Sequence, residues 1–173
     1  MKRIETPRLI LRNFKESDIH DYYEMLSNPS VSIPNGSVPL NNINEANNQI
    51  NYLVKAKKNY AVVLKTENKV IGCIGLNKDA LEDINTRNLG FVLNEKYWNH
   101  GYMSEALEKV IEIAHEYTDR LSMIFSNENR KSERLAEKLG FRFIRTIEKK
   151  QKTEDRSTQS EPYYVLELSR DNL

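Results

Sequence analysis

The sequence predicts an α/β protein of the α+β kind, in which one mixed sheet carries helices on both faces. Three observations lead there. Runs with alternating apolar residues are interleaved with runs at helical spacing. Two of the β-rich runs are joined by only Thr66-Glu67-Asn68, which is a hairpin and therefore an antiparallel pair. The element order, β α α β β β α β α β β, lacks the regular βαβ repeat of an all-parallel sheet.

Taken in order, Arg8 to Phe14 alternates as a strand. A helix follows with Asp18 in its first turn and Ile19, Tyr22, Tyr23 and Leu26 on one face; Asn28-Pro29 stops it. Ser30 to Leu40 reads as a Pro/Gly/Ser loop. Ile43, Ala46, Ile50, Leu53 and Val54 recur at helical spacing, so a second helix spans Asn42 to Lys57. Tyr60 to Lys65 and Lys69 to Asn77 form the hairpin. Leu81 to Thr86 is polar and turn-like, and Asn88 to Leu93 is a further strand. The strongest helix is Ser104 to Tyr117, where Ala106, Leu107, Val110, Ile111, Ala114 and Tyr117 make one apolar stripe. Leu121 to Phe125 is a strand, and Ser132 to Leu139 is a short helix ended by Gly140 as a left-handed cap. Phe141 to Ile147 and Tyr163 to Leu168 are the last strands, with a polar connection from Lys149 to Glu161.

The length, 173 residues, suits one domain spanning 1–173 with a proper core. Lys and Arg number 26 against 25 Asp and Glu, a net charge of +1. Such a balance argues against gripping nucleic acid or an anionic membrane through net charge. The single cysteine, Cys73, excludes an internal disulfide framework and a Cys-based zinc site, and reads as a packed strand residue. The opening residues contain no apolar signal region, and the longest apolar stretch, Val70 to Leu76, is far short of a membrane span. A reducing cytoplasm is the expected compartment.

Only one junction joins a strand, a glycine loop and a long helix: Phe91-Val92-Leu93, then Asn99-His100-Gly101-Tyr102-Met103-Ser104. Free N–H groups and the helix dipole make such a start an anion site. It is not a Walker loop, because no Gly-Lys-Ser/Thr follows, and the three-glycine dinucleotide spacing is missing.

A second segment, Asn127-Glu128-Asn129-Arg130-Lys131-Ser132 followed by Leu139-Gly140-Phe141, completes a pattern. The chain resembles the GNAT superfamily of acetyl-CoA-dependent N-acetyltransferases, in the branch containing bacterial enzymes that acetylate ribosomal-protein N-termini. Glu5-Thr6-Pro7-Arg8-Leu9-Ile10-Leu11-Arg12 resembles that branch's first strand, Tyr97 to Ala106 its cofactor loop, and Asn129 to Phe141 its closing motif. The resemblance covers nearly the whole chain and implies a GNAT fold with a mostly antiparallel sheet of six to seven strands. It implies that Phe91, Val92 and Leu93 pair with the pantetheine arm, and that Asn99, His100, Gly101, Tyr102, Met103 and Ser104 form the pyrophosphate loop. Asn129 would hydrogen-bond the pantetheine, and Ser132 would stand near the cofactor sulfur as the catalytic group. The implied chemistry is direct transfer from acetyl-CoA to an amine, with no metal and no covalent enzyme intermediate.

Several positions depart from the pattern. Asn99-His100 replaces a Gly-Lys or Gly-Arg pair, so a fixed loop cation is missing; His100 would supply it only when protonated. Ala136 stands where other members place a tyrosine acid, which leaves Ser132 as the thiolate partner, or else as a helix N-terminal serine. Asn88 and Ile144 replace two carboxylates, so the general base is unidentified unless Glu95 or Glu161 folds in. Lacking a strong base favours an acceptor of low pKa. An α-amine (about 7.7–8.0) is on the order of a tenth neutral at pH 7, whereas a Lys amine (about 10.4) is almost wholly protonated. The expected acceptor is thus a small-molecule or peptide amine, a ribosomal-protein N-terminus among them, with no direct nucleic-acid or membrane partner, in a monomer or homodimer. The competing reading is a catalytically weak CoA-binding protein of the same fold.

Overall fold

A computed structural model of the chain describes residues 1–82, 85–150 and 158–168. The strands are β1 (Ile4–Glu5), β2 (Leu9–Asn13), β3 (Asn59–Leu64), β4 (Lys69–Lys78), β5 (Thr86–Leu93), β6 (Arg120–Ile124), β7 (Arg142–Lys150) and β8 (Thr158–Glu167). The helices are α1 (Ile19–Leu26), α2 (Pro29–Ser32), α3 (Ile43–Ala56), α4 (Tyr102–Ala114) and α5 (Arg130–Lys138). One eight-stranded sheet has the order β1-β2-β3-β4-β5-β6-β8-β7. Its neighbours are antiparallel except β5 and β6, which run parallel.

Strand alternation sorts the core into two layers. Leu9, Leu11, Tyr60, Val62 and Leu64 pack with Ala106, Leu107, Val110 and Ala114 of α4 and with Ala136 of α5. Ala61 and Val63, one step out of phase, pack with Tyr22, Met25 and Leu26 of α1 and with Ala46, Ile50 and Leu53 of α3. The helices therefore cover both faces, as the sequence predicts. Each fully buried Leu or Ile in these layers contributes about 1.5–3 kcal/mol. Cys73 lies buried in β4, where removal from water pushes its thiol up to about 12. It is a packing residue.

Four expectations need correction. The sheet has eight strands rather than six to seven; β1, paired at Ile4↔Leu11 and Glu5↔Ile10, is too short to show periodicity. The loop expected over Ser30 to Leu40 begins inside α2 and continues as a 3-10 turn at Ile33–Asn35. The Asn28-Pro29 pair that ends α1 also starts α2: Asn28 Oδ1 accepts from Ser30 N at 2.9 Å, and Pro29 occupies the first helical position. Helix α4 starts at Tyr102, directly after Gly101, and ends at Ala114. Finally, the polar Lys149 to Glu161 connection is partly strand, because β7 and β8 pair as far as Lys150↔Thr158. Its centre, 151–157, lies outside the described residues, as do 83–84 of the expected Leu81 to Thr86 turn, and Thr86 already belongs to β5.

Glu24 of α1 ties that helix to β4 and to the segment that follows β5. Its carboxylate accepts from Lys69 Nζ at 2.6 Å, Lys96 Nζ at 2.8 Å and Asn94 Nδ2 at 3.2 Å. The hydrogen bonds from Lys69 and Lys96 hold the carboxyl at about 2, below its usual 4.5. A carboxyl with a depressed folded-state pKa stabilises the fold above its unfolded value, and that contribution is lost as pH falls from about 4.5 towards 2. Glu24→Gln is expected to lower Tm at pH 7 by about 2–4 °C, on the order of 1 kcal/mol for a partly exposed pair. Melts from pH 7 to pH 2 check this: the gap between wild type and variant should close through that window, and a gap independent of pH refutes it.

Candidate active site

The sheet forks at β5. Its parallel pairing with β6 covers only Thr86↔Arg120, Arg87↔Leu121 and Asn88↔Ser122. Beyond Asn88, the Leu89 to Leu93 segment of β5 pairs with β4 alone, through Gly72↔Leu93 to Leu76↔Leu89. A parallel pair of right-twisted strands that diverges in this way leaves backbone donors and acceptors facing a groove. An extended ligand can pair with such an edge as an added strand.

The groove has two chambers. One, of about 650 Å³, is lined by Phe91, Val92 and Leu93 of β5, by Asn99, Gly101, Met103 and Ser104, and by Asn129, Ser132 and Lys138 on the α5 side. The other, of about 680 Å³, lies further back along β5, between Asn88, Gly90, Ser126, Ile147, Glu148 and Glu161. Phe91, Asn129 and Ser132 line both chambers and mark where they meet.

The loop before α4 is shaped by its backbone. Asn99 and Gly101 both take left-handed conformations, with φ of 63° and 77°. Gly101 then stands as N-cap with no side chain, so the first N–H groups of α4 have no capping oxygen. The loop is anchored from across the molecule. Glu105 Oε1 accepts from Thr6 Oγ1 at 2.5 Å and from Arg8 N at 2.9 Å, while Oε2 accepts from Arg8 Nε at 2.6 Å. Arg8 also donates to the His100 carbonyl at 2.9 Å. Burial opposes the Glu105 charge, but the Thr6 and Arg8 bonds outweigh it and hold the carboxyl below its usual value. This network explains why Thr6-Pro7-Arg8 and Gly101 to Glu105 occur together in one chain: each fixes the other.

His100 and Tyr102 do not line the groove. The His100 ring stacks on Tyr102 at 5.7 Å, and its Nδ1 lies 2.7 Å from the Trp98 carbonyl, which makes it the donor nitrogen. The Arg8 guanidinium lies 4.4 Å from the Tyr102 ring centre. Positive charge reaches the first chamber instead from α5, through Arg130, Lys131 and Lys138. Lys138 Nζ donates to Ser104 Oγ at 2.8 Å, and Ser104 donates onward to Glu108 at 2.9 Å. Lys131 Nζ sits 3.6 Å over the Trp98 ring. These cations stand on a different element from the loop position at which the resemblance implies one. The only signal for them in the sequence was the Arg130-Lys131 pair beside Asn129; Lys138 carried none.

On α5, Asn129 is the N-cap: its Oδ1 accepts from Ser132 N at 3.1 Å, and its Nδ2 lies 3.5 Å from the Pro34 carbonyl. Ser132 is therefore capped rather than capping, and among the described residues its hydroxyl has no hydrogen-bond partner. In the second chamber, Glu161 of β8 is buried and lines the wall with Glu148. Glu95, the other carboxylate considered, lines the first chamber and accepts from Asn28 Nδ2 at 2.6 Å. No group of His, Cys, Asp and Glu among the described residues is arranged to hold a metal ion. Among the described residues no helix is long and apolar enough to cross a membrane.

The fork of β5 and β6, the start of α4 and the Asn129 cap of α5 all lie in a segment that matches an acetyltransferase family. Residues 8–142 match the family described as the Acetyltransferase (GNAT) domain, and the chain belongs to that family. It is 32% identical over 143 residues to the uncharacterized N-acetyltransferase YnaD of Bacillus subtilis, across 80% of this chain and 82% of that one. Among solved structures, a GNAT-family acetyltransferase from Bacillus anthracis superposes with a TM-score of 0.82 at 29% identity, covering 96% of this chain and 98% of that one. RimL, the ribosomal L7/L12 α-N-protein acetyltransferase solved with coenzyme A, shares the fold at a TM-score of 0.75 and 17% identity, covering 96% and 98%.

Proposed function

We propose that the protein transfers an acetyl group from acetyl-CoA to an α-amino group of a peptide or amino acid. The observation that carries this is the sorting of charge along the groove. The first chamber holds Arg130, Lys131 and Lys138 against Glu95 and Glu128, a lining with more positive than negative side chains beside the open N-terminus of α4, which suits an anionic phosphate-bearing donor. The second shares Glu128 with the first and adds Glu148 and Glu161, with no Lys, Arg or His among its lining residues, which suits a cationic amine.

In this reading the N–H groups of α4 and the α5 cations hold the phosphates, and the free edge of β5 aligns the pantetheine arm through Phe91, Val92 and Leu93. The amine enters from the second chamber and attacks the thioester carbonyl where the chambers meet. A C–N bond forms and the C–S bond breaks. Glu161 takes the proton lost by the amine, directly or through water, and the Ser132 hydroxyl donates to the departing thiolate. An α-amine needs the least help from such a carboxylate, because an appreciable fraction is already neutral near pH 7. The similarity in fold to RimL agrees with a protein N-terminus as acceptor.

Two measurements test the proposal. Saturating acetyl-CoA is expected to raise Tm, since a ligand specific to the folded state stabilises it by mass action. Thiol release from acetyl-CoA is then followed with α-amino peptides, amino acids, polyamines and aminoglycosides. Release with α-amino compounds is expected. Binding without release for any amine would instead identify a CoA-binding protein that does not turn over.

A further inference from the structure

Behind the fork of the sheet lies a buried polar chain. Asp79, just past β4, is 2% exposed, and Ser122 of β6 and Tyr163 of β8 are fully buried. Asp79 Oδ2 accepts from the Ser122 hydroxyl and, at 2.9 Å, from the Tyr163 hydroxyl; its Oδ1 accepts from Leu81 N at 2.7 Å. None of the three side chains lines either chamber. A polar cluster this deep is satisfied only in one arrangement, and that arrangement has a direction.

A serine hydroxyl carries one hydrogen, and here it goes to the carboxylate. The Ser122 oxygen is then an acceptor for its other neighbour, Asn88 Nδ2, at 3.1 Å. This fixes the Asn88 amide. Its nitrogen is turned to β6, so its carbonyl oxygen is turned away from Ser122. Among the described residues no donor reaches that oxygen, and Asn88 lines the second chamber. A carbonyl acceptor held in one orientation at the wall of a cavity has a donor as its natural ligand.

We propose that Asn88 Oδ1 accepts a hydrogen bond from the incoming amine, and that Ser122 and Asp79 are positioning residues that hold the Asn88 amide in that orientation. This rests on the acetyl-transfer reading above and deepens it. The chemistry favours a neutral acceptor here. A carboxylate strongly prefers the ammonium form and so opposes loss of its proton, whereas an uncharged amide carbonyl accepts from both forms with a smaller preference between them. Asn88 keeps hold of the nucleophile after Glu161 has taken the proton. A primary amine retains two N–H groups after deprotonation, enough for Asn88 and one further acceptor.

The test is a steady-state cycle on Asn88→Ala, Ser122→Ala and the double variant, using the amine that gives the fastest thiol release in the panel. Asn88→Ala should raise the acceptor KM about ten-fold, in scale for one lost hydrogen bond, with the KM for acetyl-CoA unchanged. Ser122→Ala should raise the acceptor KM about three-fold or more, and the double variant should be no worse than Asn88→Ala alone, because Ser122 acts only through Asn88. Asn88 is half-buried, so its variant reports even if Ser122→Ala folds poorly. A wild-type enzyme that turns over, together with an unchanged acceptor KM in Asn88→Ala or effects of the two substitutions that multiply, overturns this assignment alone. A wild type that binds acetyl-CoA and releases no thiol with any amine overturns the transfer reading and this one with it.

Discussion

Ser132→Ala is expected to lower kcat by roughly ten- to a thousand-fold while leaving acetyl-CoA affinity and Tm nearly unchanged. The charge on the leaving sulfur develops mainly in the transition state, so a donor aimed at it lowers the barrier without tightening ground-state binding. The sequence left a second role open for this serine, as the cap of its helix. In the structure Asn129 holds that position, with its Oδ1 on the Ser132 N–H. Removing the Ser132 hydroxyl should therefore cost little stability, whereas Asn129→Ala should cost about 1 kcal/mol. Kinetics and melts on the two variants separate the roles. A kcat for Ser132→Ala equal to wild type would remove Ser132 from the reaction.

Gly101→Val should abolish the rise in Tm produced by acetyl-CoA. The reason is conformational more than steric. A Cβ at Gly101 would meet only the Arg8 guanidinium, at 3.5 Å, an ordinary contact. The backbone, however, holds φ at 77°, where a β-branched residue is strained by about 1–2 kcal/mol or more. Relieving that strain requires the loop to change conformation, and Gly101 and Met103 then no longer hold their places in the groove wall. Calorimetry with acetyl-CoA checks the result directly: an affinity within two-fold of wild type would show that the loop tolerates the change and that the phosphates are held elsewhere.

Much of the architecture was legible in the chain because it is written in local patterns. The β-rich run of Tyr60 to Lys65, the helical spacing of Ile43 to Val54, and the Gly140 left-handed cap (φ 88°) depend on neighbours a few residues away. The alternation that puts Val62 and Ala61 on opposite faces is likewise a property of one strand. The glycine turn before α4 was legible for the same reason, since a glycine before a strong helix marks it. Short or polar segments were not. The Ile4–Glu5 strand is too brief to show a period, and the outer ends of β7 and β8 are polar residues held as strand by each other rather than by their own propensity.

What the sequence alone determined is the class of fold and the glycine turn that starts α4, both of which follow from spacing along the chain. Tertiary structure alone decided the distribution of charge and the direction of hydrogen bonds. No local pattern says that Glu105 will accept from Thr6 and Arg8, that Lys138 will reach Ser104, or that Glu161 will line the chamber beyond Asn88. These groups are separated by tens of residues, and their energies depend on distance and burial in three dimensions. The buried chain from Asp79 through Ser122 to Asn88 is the clearest case: three unremarkable polar residues on three elements acquire an orientation only when β5 and β6 meet at the fork and exclude water from between them.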